Sequence, residues 1–159
     1  MLMERISIDQ YFLKIAMVVA ERSTCLRHHV GAIAVFDKQI LATGYNGAPS
    51  GFKDCLGLGC LRDQQNILSG TKQEICRAVH AEQNIVAQSS LHAVDMRDGT
   101  IYCTHTPCII CAKLLVQTRI KRFVTYGDYP DNRFFDIFRE AGISFDKVAM
   151  PSMTISVLP

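Results

Sequence analysis

The 159-residue chain is 48% hydrophobic and 20% charged, with a formal net charge of +2. Its apolar content excludes a disordered chain, and no apolar run approaches the ~20 residues of a membrane span. The densest basic group, Arg119, Lys121 and Arg122, is too sparse for a polyanion-binding face, so neither a polynucleotide nor a membrane is the expected partner.

The start, Met1 to Ile6, lacks the charged, apolar and small-residue segments of a secretory signal, which leads to the expectation of a cytoplasmic protein. The length predicts one domain over residues 1–159. Residues 7–22 carry Ile8, Tyr11, Phe12, Ile15, Ala16, Val18 and Val19 at helical spacing, and Ser7 with Gln10 forms a potential capping box. Val30 to Phe36 and Ile40 to Tyr45 read as two strands joined through the polar turn at Asp37, Lys38 and Gln39. The stretch from Gly44 to Gly51, rich in Gly and Pro, leaves the sheet as a loop.

Residues 52–76 read as an irregular insertion, long enough to require a function or a crosslink. Helical character returns from Ala78 to Ser90, with Val79, Ile85 and Val86 on one side. A strand is expected over Thr100–Thr104, then a helix over Cys108–Thr118 with Pro107 at its first position and Ile109, Ala112, Leu115 and Val116 inward. A strand over Arg122–Gly127, a helix over Asn132–Ala141 stopped by Gly142, and a strand over Ile143–Phe145 follow. The order α-β-β-α-β-α-β-α-β predicts an α/β fold, a three-layer α/β/α sandwich whose later strands run parallel.

Seven cysteines stand out, at positions 25, 55, 60, 76, 103, 108 and 111. With no export signal and enough length for a core, metal binding or catalysis is a better expectation than disulfides. His80-Ala81-Glu82 opens one predicted helix and Pro107-Cys108-Ile109-Ile110-Cys111 opens the next. One imidazole and two thiolates supply three of the four ligands of a tetrahedral zinc and leave one position for water, the arrangement of a catalytic site. Helix N-termini favour the thiolate forms of Cys108 and Cys111. Glu82, two residues from His80, can move protons to and from water activated at the metal. H-x-E paired with P-C-x-x-C is the pattern of zinc-dependent deaminases.

These residues resemble the cytidine/deoxycytidylate deaminase superfamily, and within it the deoxycytidylate deaminases. The likeness runs from about Ser23 to Phe145 through Val30-Gly31-Ala32, the Gly44-Tyr45-Asn46-Gly47-x-Pro49-x-Gly51 loop, Cys76 to Asn84, and Thr106 to Lys113, with Ile85 where the family usually has Ala. The loop is the discriminating piece, because deaminases of other bases share the metal motif. The resemblance implies a five-stranded mixed sheet and the reaction of dCMP with water to give dUMP and ammonia, supplying dUMP for dTTP synthesis. It implies that Asn46 contacts the sugar, the Ala81 N–H the pyrimidine carbonyl, and Tyr129 the substrate region. Two plainer readings stay open: Asn46 as a turn residue with left-handed geometry, and Tyr129 as a surface-loop aromatic. Charge and position suggest Ser23, Thr24 and Arg27 for the 5′-phosphate.

Relatives of this kind are commonly hexamers activated by dCTP with Mg²⁺ and inhibited by dTTP. The resemblance therefore implies an effector site at Gly44, Tyr45, Asn46, Gly47 and Gly51, unless that loop only shapes the active site. Cys25, Cys55, Cys60 and Cys76 form a candidate second, structural zinc site, as in some related deaminases, with His28 or His29 as substitute ligands or with four independent thiols as the alternative. Cys103 reads as a core residue. Two other functions fit the motif: a tRNA-type adenosine or cytidine deaminase, and a non-catalytic zinc-stabilised nucleotide-binding protein.

Overall fold

The computed structural model describes residues 5–154. Helix α1 (Ile8–Ala20) precedes strands β1 (Gly31–Phe36) and β2 (Gln39–Tyr45). Two short helices, α2 (Cys55–Leu58) and α3 (Leu61–Gln64), and a 3₁₀ turn (Gln73–Ile75) occupy the insertion. Then come α4 (Ala81–Leu91), β3 (Thr100–His105), α5 (Ile109–Gln117), β4 (Arg122–Gly127), α6 (Phe134–Ala141) and β5 (Ser144–Lys147). The strands form one sheet in the order β2-β1-β3-β4-β5. β1 is antiparallel to β2 and β3, while β3, β4 and β5 are parallel, so the sheet is mixed and parallel in its later half as expected.

Local chemistry sets the element ends. Ser7 caps α1 by accepting the Gln10 N–H at 3.1 Å. Asp37 and Lys38 both take positive φ in the β1–β2 connection, the geometry that matches the twist of a two-residue hairpin. Gly142, at φ 70°, ends α6 in the left-handed conformation that a glycine adopts without a Cβ penalty.

Among the boundaries that differ from the sequence reading, which include Gln39 inside β2, α6 from Phe134 and β5 over Ser144–Lys147, three have a direct cause. The insertion is not irregular throughout, because Asp54 caps α2 with two hydrogen bonds. The helix expected from Ala78 begins at Ala81, because Val79 exchanges backbone bonds of 2.8 and 3.2 Å with Gly47 and is extended. Pro107 lies outside α5, because Cys108 is its N-cap and receives the Cys111 N–H at 3.5 Å. The first helical residue is therefore Ile109.

The layers follow the alternation of side chains across the strands. Phe12 and Leu13 of α1 pack on Ile33, Val35, Tyr102 and Val124. On the opposite face, Ile85 of α4, Ala112 and Leu115 of α5, and Phe134 and Phe138 of α6 pack on Ala32, Ala34, Ile101, Cys103 and Phe123. Cys103 is fully buried in this core. With both faces covered, β1 is buried at five of its six positions. Gly44 brings β2 against the start of α4: a Cβ there would lie 2.4 Å from the Ala81 carbonyl oxygen. That contact fixes where His80 and Glu82 stand relative to the sheet. Among the described residues, no helix is long and apolar enough to cross a membrane.

Candidate active site

The carboxyl ends of β3 and β4 meet the N-termini of α4 and α5, the edge at which open α/β sheets place their ligands. His80 is the N-cap of α4 and Cys108 the N-cap of α5. The His80 amide donates to the Gln83 Oε1 at 2.8 Å. Asp131, buried beside α5, accepts the orphan Ile109 N–H at 2.9 Å. These two bonds fix the helix starts that carry the three ligand residues.

His80 Nδ1 lies 3.5 Å from Cys108 Sγ and 3.4 Å from Cys111 Sγ, and all three ligand atoms fall within 4.8 Å of one another. A tetrahedral zinc with Zn–N near 2.0 Å and Zn–S near 2.3 Å separates nitrogen from sulfur by roughly 3.5 Å. The donor set therefore fits zinc in both chemistry and spacing. The hydrogen bond from Cys111 lowers the Cys108 thiol to about 4, against the effect of burial and with help from His80. Burial lowers the His80 imidazole, but its bond to Cys108 and the charge of Glu82 outweigh this and raise it overall.

Glu82, in the first turn of α4, is 4% exposed and lines the same pocket. Burial raises its carboxyl above the ordinary range, while His80 pulls the other way. A buried carboxyl raised in this way holds a proton more readily than an exposed one, the property an acid–base group uses.

The description "cytidine and deoxycytidylate deaminase zinc-binding region" matches residues 6–127. The chain belongs to the cytidine and deoxycytidylate deaminase family. It is 36% identical over 156 residues to ComE operon protein 2 of Bacillus subtilis, covering 98% of this chain and 78% of that one. It is 34% identical over 145 residues to the deoxycytidylate deaminase of Saccharomyces cerevisiae, covering 88% of this chain but only 44% of the yeast protein. It thus spans less than half of that relative. The structure of the cyanophage S-TIM5 dCMP deaminase, solved with dCMP and dUMP, superposes with a TM-score of 0.74 at 26% identity and covers 92% of this chain and all of that one. The chain is thus a deaminase, a hydrolase of C–N bonds.

The deaminase pocket gathers some of the expected residues and not others. Asn46, Ala81, Tyr129 and Arg27 line it together with His80, Glu82 and Cys108. Asn46 is not among the residues with positive φ, so its reading as a left-handed turn residue is corrected. Its Oδ1 accepts from the Ser23 hydroxyl at 2.6 Å and the Val30 N–H at 2.9 Å, and its Nδ2 donates to the His28 carbonyl at 2.8 Å. The hydroxyl of Ser23 thus positions Asn46 instead of facing the cavity. Thr24 also lies outside the cavity lining, near Gly47.

Gly44, Tyr45 and Gly47 border a separate groove of about 370 Å³ with Asn84, Gln88 and His92. Asn46 instead faces the catalytic pocket, and Gly51 borders neither. Cys25, Cys55, Cys60 and Cys76 converge on one wall of the catalytic pocket, and burial with the nearby thiols raises the Cys55 thiol. Among the described residues, no three of their sulfurs come within 4.8 Å of one another. Sequence reasoning missed Arg62, His105 and Thr106, which also line the pocket. Their proximity comes from tertiary folding, with no local spacing to reveal it.

Proposed function

We propose that this deaminase converts dCMP and water to dUMP and ammonia in the cytoplasm, supplying dUMP for dTTP synthesis. The observation that carries the reading is the buried Glu82 carboxyl in one pocket with the His80–Cys108–Cys111 set. The dCMP and dUMP bound to the cyanophage relative and the activity named for the yeast relative support it. Zinc held by His80 Nδ1, Cys108 Sγ and Cys111 Sγ supplies the Lewis acidity that makes water a nucleophile near neutral pH.

Glu82 takes a proton from that water, delivers it to pyrimidine N3, and carries the second to the amino group leaving C4. The Ala81 N–H, in the first turn of α4 and without an intrahelical acceptor, binds the pyrimidine carbonyl oxygen. One Asn46 amide N–H remains for the sugar after its bond to His28. Tyr129, whose amide is held by the Thr106 hydroxyl at 2.7 Å, closes the sugar side. Arg27 is the phosphate candidate that lines the cavity.

The same reading includes a single domain over residues 1–159, a structural zinc on Cys25, Cys55, Cys60 and Cys76, and a homohexamer. It also includes activation by dCTP with Mg²⁺ and inhibition by dTTP near Gly44, Tyr45 and Gly47. The second zinc requires the four sulfurs to draw together from their positions on the pocket wall. Two zincs per chain, falling to one in Cys55→Ser, is the expected result; one zinc with a fully stable Cys55→Ser protein removes that site. Rates against dCMP that do not respond to dCTP remove the effector claim. The direct test of the activity is a panel of deoxycytidine, dCMP and dCTP with zinc quantified in the same sample. dUMP formation from dCMP is expected, and a zinc-loaded protein that leaves dCMP unchanged refutes the reading.

A further inference from the structure

Arg62 is 5% exposed, yet among the described residues no carboxylate lies within ion-pairing distance of it. A buried cation without a counter-ion costs several kcal/mol as a rule, so its position calls for a partner. Its Nη2 donates to two backbone carbonyls, Leu68 O at 2.7 Å and Thr71 O at 2.9 Å, while its buried Nε has no acceptor. Arg27 repeats the pattern. Its Nε meets Asp63 at 2.7 Å, its Nη2 donates to Ile67 O at 2.7 Å, and its buried Nη1 has no acceptor. Both arginines line the pocket that holds His80 and Glu82.

The carbonyls they engage belong to one short segment, residues 67–71, which other pocket residues also hold. His28 Nε2 lies 3.1 Å from Ser69 Oγ, and the Tyr129 hydroxyl accepts the Gly70 N–H at 3.2 Å. The cavity that Arg27, His28, Arg62 and Tyr129 line is about 60 Å³, enough for a few water molecules. Sites for small molecules of nucleotide size run to roughly 300 Å³ and above. A ligand of that size enters only if the lining rearranges, and a shift of residues 67–71, which hold Arg27 and Arg62 from behind the lining, frees the guanidinium donors now bound to carbonyls.

We propose that Arg62, together with Arg27, recognises the anionic group of the ligand, and that this group replaces the carbonyls of residues 67–71 on the two guanidiniums as the segment shifts. A phosphate monoester suits them, because its oxygens accept the paired N–H donors of a guanidinium and its charge supplies the counter-ion that Arg62 lacks. Arg62 is then a specificity residue. It links recognition of a nucleoside monophosphate to release of the segment that holds both guanidiniums. The identity of the phosphate as part of the nucleotide rests on the proposed dCMP reaction; the anion site itself does not.

The test uses the zinc-loaded full chain with Arg62→Gln and Arg62→Lys. In Arg62→Gln the KM for dCMP is expected to rise roughly 10- to 100-fold, as for loss of a charge-assisted bond, with kcat within about threefold of wild type. Arg62→Lys keeps the charge without the fork and recovers part of the loss. An unchanged KM in both variants, or a loss confined to kcat, overturns the proposal. The same proteins are melted in inorganic phosphate and in chloride at equal ionic strength. Phosphate is expected to raise the melting temperature of wild type by a few degrees and that of Arg62→Lys by less. Equal shifts in both overturn the proposal even if Arg62→Gln fails to fold. A phosphate shift that depends on Arg62, in a protein that leaves dCMP unchanged, refutes the dCMP reading while retaining the anion site.

Discussion

Replacing Gly44 by Ala perturbs the active site through the backbone of α4, without altering any side chain in it. The added Cβ would lie 2.4 Å from the Ala81 carbonyl oxygen, 2.8 Å from the Ile85 nitrogen and 3.1 Å from the Asn84 Cβ. Ordinary contact begins near 3.4 Å, and two of the three atoms are backbone of α4, so no side-chain rotation relieves the overlap. The start of α4 must retreat by about 1 Å. Overpacking of this kind costs about 1–3 kcal/mol, which in a domain of this size lowers the melting temperature by roughly 2–12 °C. The same retreat carries His80 and Glu82 away from Cys108 and Cys111, and a 1 Å misplacement of catalytic groups costs about 100-fold in rate. The assay is a thermal melt, a zinc determination and kcat on dCMP, with Gly57→Ala as control because its added Cβ would meet nothing within 4 Å. Gly44→Ala with the melting temperature and turnover of wild type would refute the view that this contact sets the position of α4.

Two other perturbations test the supports of the site and of the sheet. Asp131→Ala removes the acceptor of the Ile109 N–H and is expected to cost about 1–2 kcal/mol, as loss of a helix cap does; faster zinc loss to a chelator checks it. Asp9 accepts two bonds of 2.8 Å from Arg122 and one of 2.8 Å from the Tyr102 hydroxyl. The Arg122 hydrogen bond is the main cause that lowers the Asp9 carboxyl below its ordinary value, against burial. A carboxyl lowered in the folded state adds stability above its unfolded pKa of about 3.9 and loses that contribution as the pH falls through its folded value. Asp9→Asn is therefore expected to cost about 1–2 kcal/mol at pH 7, and its gap from wild type in denaturant melts should narrow below about pH 4. A gap constant across that range would contradict the assignment.

The parts of the molecule legible in the sequence are those set by short-range chemistry. The polar turn after β1, the stop at Gly142 and the ligand spacing of His80-x-Glu82 and Cys108-x-x-Cys111 depend on neighbours within a few residues, although Gln39, expected in the turn, opens β2 and leaves a two-residue hairpin at Asp37 and Lys38. Cys103, on an expected central strand, reads as core and is fully buried. The errors arise where a distant partner decides. Val79 is extended because Gly47 pairs with it across the chain, whereas helical periodicity alone places it on the α4 face. Asn46 is held by Ser23, Val30 and His28, so its role in ordering the pocket wall has no local signature. Arg62 lies in an insertion without periodicity, and its buried guanidinium becomes visible only when residues 67–71 fold over it. Asp131 likewise caps a helix that begins 22 residues earlier.

The central claim is that Glu82 moves protons for hydrolytic deamination beside a zinc held by His80, Cys108 and Cys111. Its most direct test is release of dUMP and ammonia from dCMP by wild type and Glu82→Gln, with zinc content and melting temperature measured on the same preparations. The account predicts turnover by wild type and a loss of about 10²–10⁴-fold or more in kcat for Glu82→Gln, with equal zinc in both. Glu82→Gln protein that deaminates dCMP at the wild-type rate with its zinc in place would contradict it.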